Sequence, residues 1–276
     1  MQQVLKTMLE NVRAKTPLVH NITNYVTVND VANVLLAAGG SPIMSDDADD
    51  VEDITSICGG LNINIGTLNK NTIPSMFLAG KKANALGHIV LLDPVGAGAS
   101  RLRTDTANRL MQEVRIDAVR GNISEIKTLC TGSGSTKGVD ADAVDAVTEA
   151  NLDDGVQLVK TFAQRAGCIV TVTGAIDLVS DGERCWCIRN GRAEMSRITG
   201  TGCQLSALMT AFLVANPDHK LAAAAAAVCM MGLAGEIGWA NMQPGDGNST
   251  YRNRIIDAIF NMTGDALEKG AKYELR

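Results

Sequence analysis

Aromatic residues are scarce in this chain: two Trp, three Tyr and four Phe make up 3% of 276 residues. A core must therefore be assembled from Ala, Val, Ile, Leu and Met, which dominate a hydrophobic content of 46%. Small aliphatics together with 27 glycines suit helices packed closely on a parallel sheet better than an all-β sandwich. Basic clusters are lacking too. No run of Lys and Arg exceeds two residues and the net charge is −5, so the electrostatic footprint of a nucleic-acid-binding protein is missing. Three scattered histidines form no Ser-His-Asp or Cys-His pattern, which leaves hydrolase chemistry little to rest on. Residues 221–235 form an uncharged run that is half alanine and too short to span a bilayer; they read as a buried helix and no membrane partner is expected. The opening MQQVLKTMLENVRAK is charged and amphipathic, without the apolar block of a signal peptide. Seven cysteines in that context imply free thiols and a cytoplasmic location.

What is present is an alternation. Helix-like amphipathic segments at 4–13, 28–38, 48–57, 70–86, 103–115, 122–130 and 153–166 are interleaved with short apolar runs at 41–44, 61–65, 88–92, 116–119 and 168–173. Strand–helix repetition predicts βαβ units and a mainly parallel sheet with helices on both faces, an α/β fold. Asp181-Gly182 inside 176–189 is a hairpin signal and predicts an antiparallel extension of that sheet. Beyond residue 202 the pattern is almost wholly helical, over 202–215, 219–240 and 252–269. No compositional break divides the chain, and one domain over 1–276 is expected. Residues 131–155 read as a polar loop with one short acidic helix.

Two motifs are discounted. Gly132 to Gly138 has the glycines of a phosphate loop, but the order Ser-Thr-Lys-Gly is wrong and no strand precedes it. The acids at 46–53 lack the glycine and distal glutamate of a calcium loop and read as the solvated opening of a helix. Cys185 and Cys187 share one strand face without a second pair, and read as buried small hydrophobes.

Three turns remain. Thr199-Gly200-Thr201-Gly202-Cys203 runs directly into an apolar-periodic helix, so backbone N–H groups and the helix N-terminus can face an anion such as a phosphoryl group in flight. Taken alone, it serves equally well as a tight helix entry. Asp93, in DPVGAGAS, follows the strand HIVLL at the edge where open α/β sheets bind ligands, and can act through magnesium or its waters; it is also an ordinary Asp-Pro turn. In RGNISEI, Arg120 can pair with phosphate, Asn122 and Ser124 can cap the following helix, and Glu125 is a second acid for a metal. A thiol at a helix N-terminus has its pKa lowered, and that is expected of Cys203.

The motifs HNITNYVTVNDVAN (20–33), LNINIGTL (61–68), DPVGAGAS (93–100), RGNISEI (120–126), TVTGA (171–175) and TGTGCQLSA (199–207) occur in one order over most of the chain. In them the sequence resembles the hydroxyethylthiazole kinases of thiamine biosynthesis and salvage, within the ribokinase-like group. That resemblance implies a ribokinase-like α/β sandwich, a homotrimer with active sites at subunit interfaces, and transfer of the ATP γ-phosphoryl group to the primary hydroxyl of 5-(2-hydroxyethyl)-4-methylthiazole. It implies that Asn24, Met44 and Gly200 bind substrate, that Arg120 and Thr173 bind ATP, and that Asp93 and Glu125 serve Mg2+. Gly200, Thr201 and Gly202 would form the anion hole, and Cys203 would stand where most ribokinase-like enzymes place an aspartate base. Contacts to the nucleotide ring are not assigned. The rival readings are a ribokinase-like nucleotide-dependent dehydratase, against which the HNITNYV block weighs, and a non-catalytic nucleotide-sensing protein, against which the intact Asp93, Glu125 and Cys203 weigh.

Overall fold

The structure, a computed structural model, describes residues 3–131 and 146–276. The discounted glycine run at 132–138 and most of the loop expected over 131–155 lie outside the described residues; within them, 149–151 form a short 3₁₀ turn.

Among the described residues nine strands form one sheet: β1 (Leu18–Ile22), β2 (Ser41–Met44), β3 (Gly60–Asn64), β4 (Ile89–Asp93), β5 (Ala118–Asn122), β6 (Ile169–Thr173), β7 (Asp177–Ser180), β8 (Cys185–Ile188) and β9 (Tyr273–Leu275), in the spatial order β2-β1-β3-β4-β5-β6-β7-β8-β9. The pairings from β2 through β6 are all parallel, and those from β6 to β9 all antiparallel. The expected parallel sheet with an antiparallel extension is therefore present. Two strands escape the periodicity reading. β1, LVHNI, carries a His and an Asn that are both buried, so it lacks an apolar signature. β9 is short, charged and at the sheet's edge, where half its backbone groups need no partner strand.

Helices cover both faces, as the alternation requires. β4 shows why: Ile89 and Leu91 join one core and Val90 and Leu92 the other, following the period of two. On the first face lie α1 (Val4–Lys15), α2 (Val28–Ala38), α8 (Thr201–Ala215), α9 (Lys220–Ala240), α10 (Asn248–Asn261) and α11 (Gly264–Gly270). On the second lie α3 (Val51–Ile57), α4 (Thr72–Leu86), α5 (Arg101–Glu113), α6 (Ile123–Thr131) and α7 (Leu152–Ala166). α9 packs on β6, β7 and β8, and its Ala223 to Ala227 are fully buried on all sides, small side chains that let neighbouring elements approach closely. Residues 217–240 are long and apolar enough to cross a membrane by length and composition, but 83% of the apolar window is buried inside the protein. This is the α/β sandwich of the ribokinase-like group.

Candidate active site

The parallel strands all end at one edge of the sheet, and that edge gathers the chemistry. Asn24 follows β1, Met44 ends β2, Asn64 ends β3, Asp93 ends β4, Arg120 lies within β5 and Thr173 ends β6. The N-terminus of α8 closes over them. Gly200 takes φ +86°, and a Cβ there would lie 2.3 Å from Thr27 Cγ2. At Gly202 a Cβ would lie 2.5 Å from both terminal nitrogens of Arg120, so the guanidinium sits directly against the first turn of the helix. Arg120 Nη2 donates to Thr173 Oγ1, at 2.5 Å, and Nη1 lies 3.6 Å from Asp93 Oδ1. Met44 and Val95 pack on the small cluster containing Cys203, Ala207 and Val31. All the residues expected from sequence thus meet at one place.

Between them runs a buried polar chain. Asn24 Nδ2 donates to Cys203 Sγ at 3.2 Å and to Asn64 Oδ1 at 3.0 Å. Asn64 Nδ2 donates to Asp93 Oδ2 at 2.7 Å, an oxygen that also accepts from Ser206 Oγ at 2.8 Å. Backbone groups hold the Glu125 carboxylate: Gly96 N donates to Oε1 and Asn122 N to Oε2, each at 2.8 Å. Asn122 Oδ1 in return accepts from Glu125 N and caps α6, as expected; Ser124 lies inside the first turn. Sequence reading missed Asn64, Thr27 and Ser206. The signal for Asn64 was present: Asn62 and Asn64 interrupt an otherwise apolar strand, and a fully buried amide requires partners.

Electrostatics correct one expectation. The Cys203 thiol is not lowered but raised above its ordinary value, first by burial and then by the Asp93 charge. Arg120, Asn64 and Asn24 act in the opposite sense without outweighing these. The expected helix N-terminal effect assumed a solvated thiol, whereas Cys203 is 9% exposed. Burial also raises Asp93, against Arg120, Ser206 and Asn64. Glu125 is pushed up to about 7 by burial and by the neighbouring Asp93.

Beside Arg120 and Thr173 opens a cavity of about 820 Å³, whose other walls include Gly202, Asp177, Met195 and Met231. Its size and its mix of apolar walls and a few convergent polar groups are those of a small-molecule site.

The Hydroxyethylthiazole kinase family model matches residues 9–265. The chain belongs to this family. It is 56% identical to a hydroxyethylthiazole kinase of Clostridium acetobutylicum over 98% of this chain and 99% of the relative, and 49% identical to one of Clostridium beijerinckii over 97% and 95%. Among solved structures, the hydroxyethylthiazole kinase protein of Pyrococcus horikoshii OT3 superposes with a TM-score of 0.88 at 32% identity, covering 100% of each chain.

Proposed function

We propose that this chain phosphorylates the primary hydroxyl of 5-(2-hydroxyethyl)-4-methylthiazole at the expense of ATP, in thiamine biosynthesis or salvage. The observation that carries the reading is the contact of Cys203, at the opening of α8, with Asn24, while Arg120 lies against Gly202 one residue away. A hydroxyl placed at the thiol is then also beside an anion pocket.

In this reading Asn24, Met44 and Gly200 hold the thiazole alcohol, and the cavity lined by Arg120 and Thr173 takes ATP. The backbone N–H groups of Gly200, Thr201 and Gly202 and the Arg120 guanidinium carry the charge of the phosphoryl group in flight. The substrate oxygen forms the new O–P bond and the bond from the γ-phosphorus to the bridging oxygen of ADP breaks. The hydroxyl proton passes to Cys203 Sγ in its thiolate form, which leaves the neutral thiol. Because the transition state is loose, positioning and charge stabilisation dominate and the proton acceptor contributes less. The donor set fits Mg2+: Asp93 Oδ1 is buried without a hydrogen-bond partner and Glu125 adds a second carboxylate, hard oxygens suited to a cation that arrives with phosphates and keeps its waters. Bound there, Mg2+ would neutralise charge on the phosphates.

A soluble, cytoplasmic homotrimer with active sites at subunit interfaces is part of the same proposal. It is supported by Tyr25 and Val26, which are 79% and 58% exposed although they adjoin the buried Asn24. Apolar side chains flanking a substrate residue suit coverage by a neighbouring subunit. The test is ADP release by the purified protein with and without a panel of small alcohols that includes the thiazole and hydroxymethylpyrimidine. Release that depends on the thiazole alcohol, with the phosphate ester as product, is expected. Nucleotide consumption without a phosphorylated alcohol would instead point to the dehydratase reading, and ATP binding without turnover to a sensor.

A further inference from the structure

One wall of the 820 Å³ cavity is the stretch from Asn190 to Met195, which follows β8 and lies outside every strand. It is held instead by one face of α9. Gly232, Gly235, Glu236 and Trp239 stand at the spacing i, i+3, i+4, i+7, which places them in one stripe along the helix. Each meets a different part of the wall. A Cβ on Gly232 would lie 2.7 Å from the Asn190 carbonyl carbon, and one on Gly235 2.3 Å from Met195 Sδ, so both glycines are spaces that the wall occupies. The Arg192 guanidinium lies 5.5 Å from the Trp239 ring centroid.

Glu236 supplies the polar fastening. Its Oε1 accepts from Gly191 N at 3.0 Å and from Asn190 Nδ2 at 3.1 Å, and its Oε2 accepts from Lys272 Nζ at 2.7 Å. The Asn190 amide cannot turn over. Its Oδ1 accepts from Lys272 N at 2.7 Å, and its Nδ2 also donates to Gly270 O at 3.0 Å. Gly191, at φ +118°, is where the chain reverses direction into the cavity wall, a conformation that leaves its N–H pointing back to α9. None of Glu236, Gly235 or Trp239 lines the cavity itself.

We infer that Glu236 is a positioning residue for nucleotide binding, acting through Asn190 and Gly191 to hold the outer wall of the cavity at the depth that ATP requires. The inference rests on the proposed placement of ATP in this cavity. A carboxylate anchoring a backbone N–H and a side-chain amide, itself neutralised by Lys272, fixes the wall more firmly than apolar packing alone. Loosening it enlarges the cavity without disturbing Cys203, Asn24 or Asp93, which lie at the other side of Arg120. The effect belongs on nucleotide affinity and not on the chemical step.

The test is a steady-state comparison of the full-length protein with Glu236→Ala, Glu236→Gln and Gly235→Leu, with ATP affinity also measured directly by calorimetry. Glu236→Ala raises the KM for ATP about tenfold, the loss expected when two half-buried donors lose a charged acceptor. kcat and the KM for the thiazole alcohol stay within about twofold, a split that general destabilisation does not produce. Glu236→Gln keeps an acceptor for Gly191 N and restores most of the ATP affinity. Gly235→Leu, which displaces Met195 into the cavity, weakens ATP binding by an independent route and stands in if Glu236→Ala does not fold. An unchanged KM for ATP in Glu236→Ala, or a fall in kcat with no change in ATP affinity, overturns the inference. Arg120→Ala separates the two levels. If it weakens ATP binding while Glu236→Ala and Gly235→Leu do not, only the wall's role is wrong; if all three leave ATP affinity intact, the nucleotide lies elsewhere and the placement itself fails.

Discussion

Asn24 presents its amide nitrogen, not its oxygen, to Cys203. Its Oδ1 accepts from the backbone N–H of Thr27 at 3.1 Å and from Thr27 Oγ1 at 3.0 Å, which fixes the orientation of the amide. Both protons on Nδ2 are then committed, one to Asn64 Oδ1 and one to the Cys203 sulfur. A backbone N–H can only donate, so the whole chain of assignments follows from it. The sulfur is set up as an acceptor, which is what a group receiving a hydroxyl proton must be. Burial and then the Asp93 charge hold the thiol protonated, with Arg120, Asn64 and Asn24 opposing them at the same atom.

Replacing Cys203 by Ala is expected to lower kcat by about 10²-fold or more, within the range of a lost proton acceptor, while KM for ATP and thiazole alcohol change little. Cys203→Asp keeps activity, because a carboxylate accepts the same proton. The pH dependence separates the two enzymes. With the thiol raised above its ordinary value, the thiolate fraction of the wild-type protein is still increasing through neutral and mildly alkaline pH, so kcat climbs with pH. A carboxylate is already ionised across that span, and the Cys203→Asp profile is flat. Loss of substrate affinity in the Ala variant would make Cys203 a structural residue.

Gly202→Val is expected to be worse than Cys203→Ala. The new Cβ falls 2.5 Å from both Arg120 terminal nitrogens, so the guanidinium must leave Thr173 and Asp93 and shift into the cavity that it lines. Displacing it removes the cation from the anion pocket and crowds the helix N-terminus together. kcat/KM for ATP should fall by more than about 10³-fold. Wild-type turnover in this variant would refute the assignment of the α8 N-terminus as the phosphoryl site.

Much of this arrangement was legible in the sequence. Glycine turns after apolar runs located Asp93, Arg120 and the 199–203 segment, because strand ends and helix starts have local signatures. β1 was not legible, since His20 and Asn21 are buried by partners distant in sequence: Thr55 and Ser45 for the ring, Asn62 for the amide. The depth of Cys203 was not legible either. Whether a helix-terminal thiol is wet or dry depends on how α8 is seated against β1, β3 and β4, which is a tertiary fact. The same holds for Glu236, which looks like an ordinary surface acid until Asn190 and Lys272 are brought to it.

Asn64 gives a prediction that local patterns did not. Its Oδ1 accepts from Gly66 N at 2.9 Å and from Asn24, while its Nδ2 faces Asp93 Oδ2. Asn64→Leu strips all three groups of a partner and should cost on the order of 3 kcal/mol of stability, with kcat falling at least about tenfold as Asn24 loses its support. Asn64→Asp keeps the acceptor but sets a second carboxylate against Asp93. Its destabilisation relative to wild type should be larger at pH 8 than at pH 5.5, because burial raises Asp93 and the two carboxylates repel only when both are ionised. Urea unfolding at the two pH values decides it, and an equal deficit at both would contradict the assignment of the Asp93 contact.

His20 sets a limit on acid stability. It is fully buried in β1, with Nδ1 paired to Thr55 Oγ1 and Nε2 to Ser45 O, each at 2.9 Å. A carbonyl only accepts, so Nε2 carries the proton, and the neutral ring then takes the Thr55 hydroxyl at Nδ1. Burial lowers the His20 pKa below its ordinary value, with Ser45 and Asp50 opposing. The unfolded chain therefore binds a proton near pH 6.5 that the folded chain does not. Stability from this residue is complete above about pH 6.5 and declines as the pH falls below it, by at most about 1.4 kcal/mol per pH unit until the folded ring itself protonates. His20→Gln can still donate to the Ser45 carbonyl but has no proton to gain. Its unfolding free energy is expected to be lower than wild type at pH 7.5, with a shallower decline between pH 6.5 and 5. Parallel curves for the two proteins over that interval would mean that His20 is not the group that titrates.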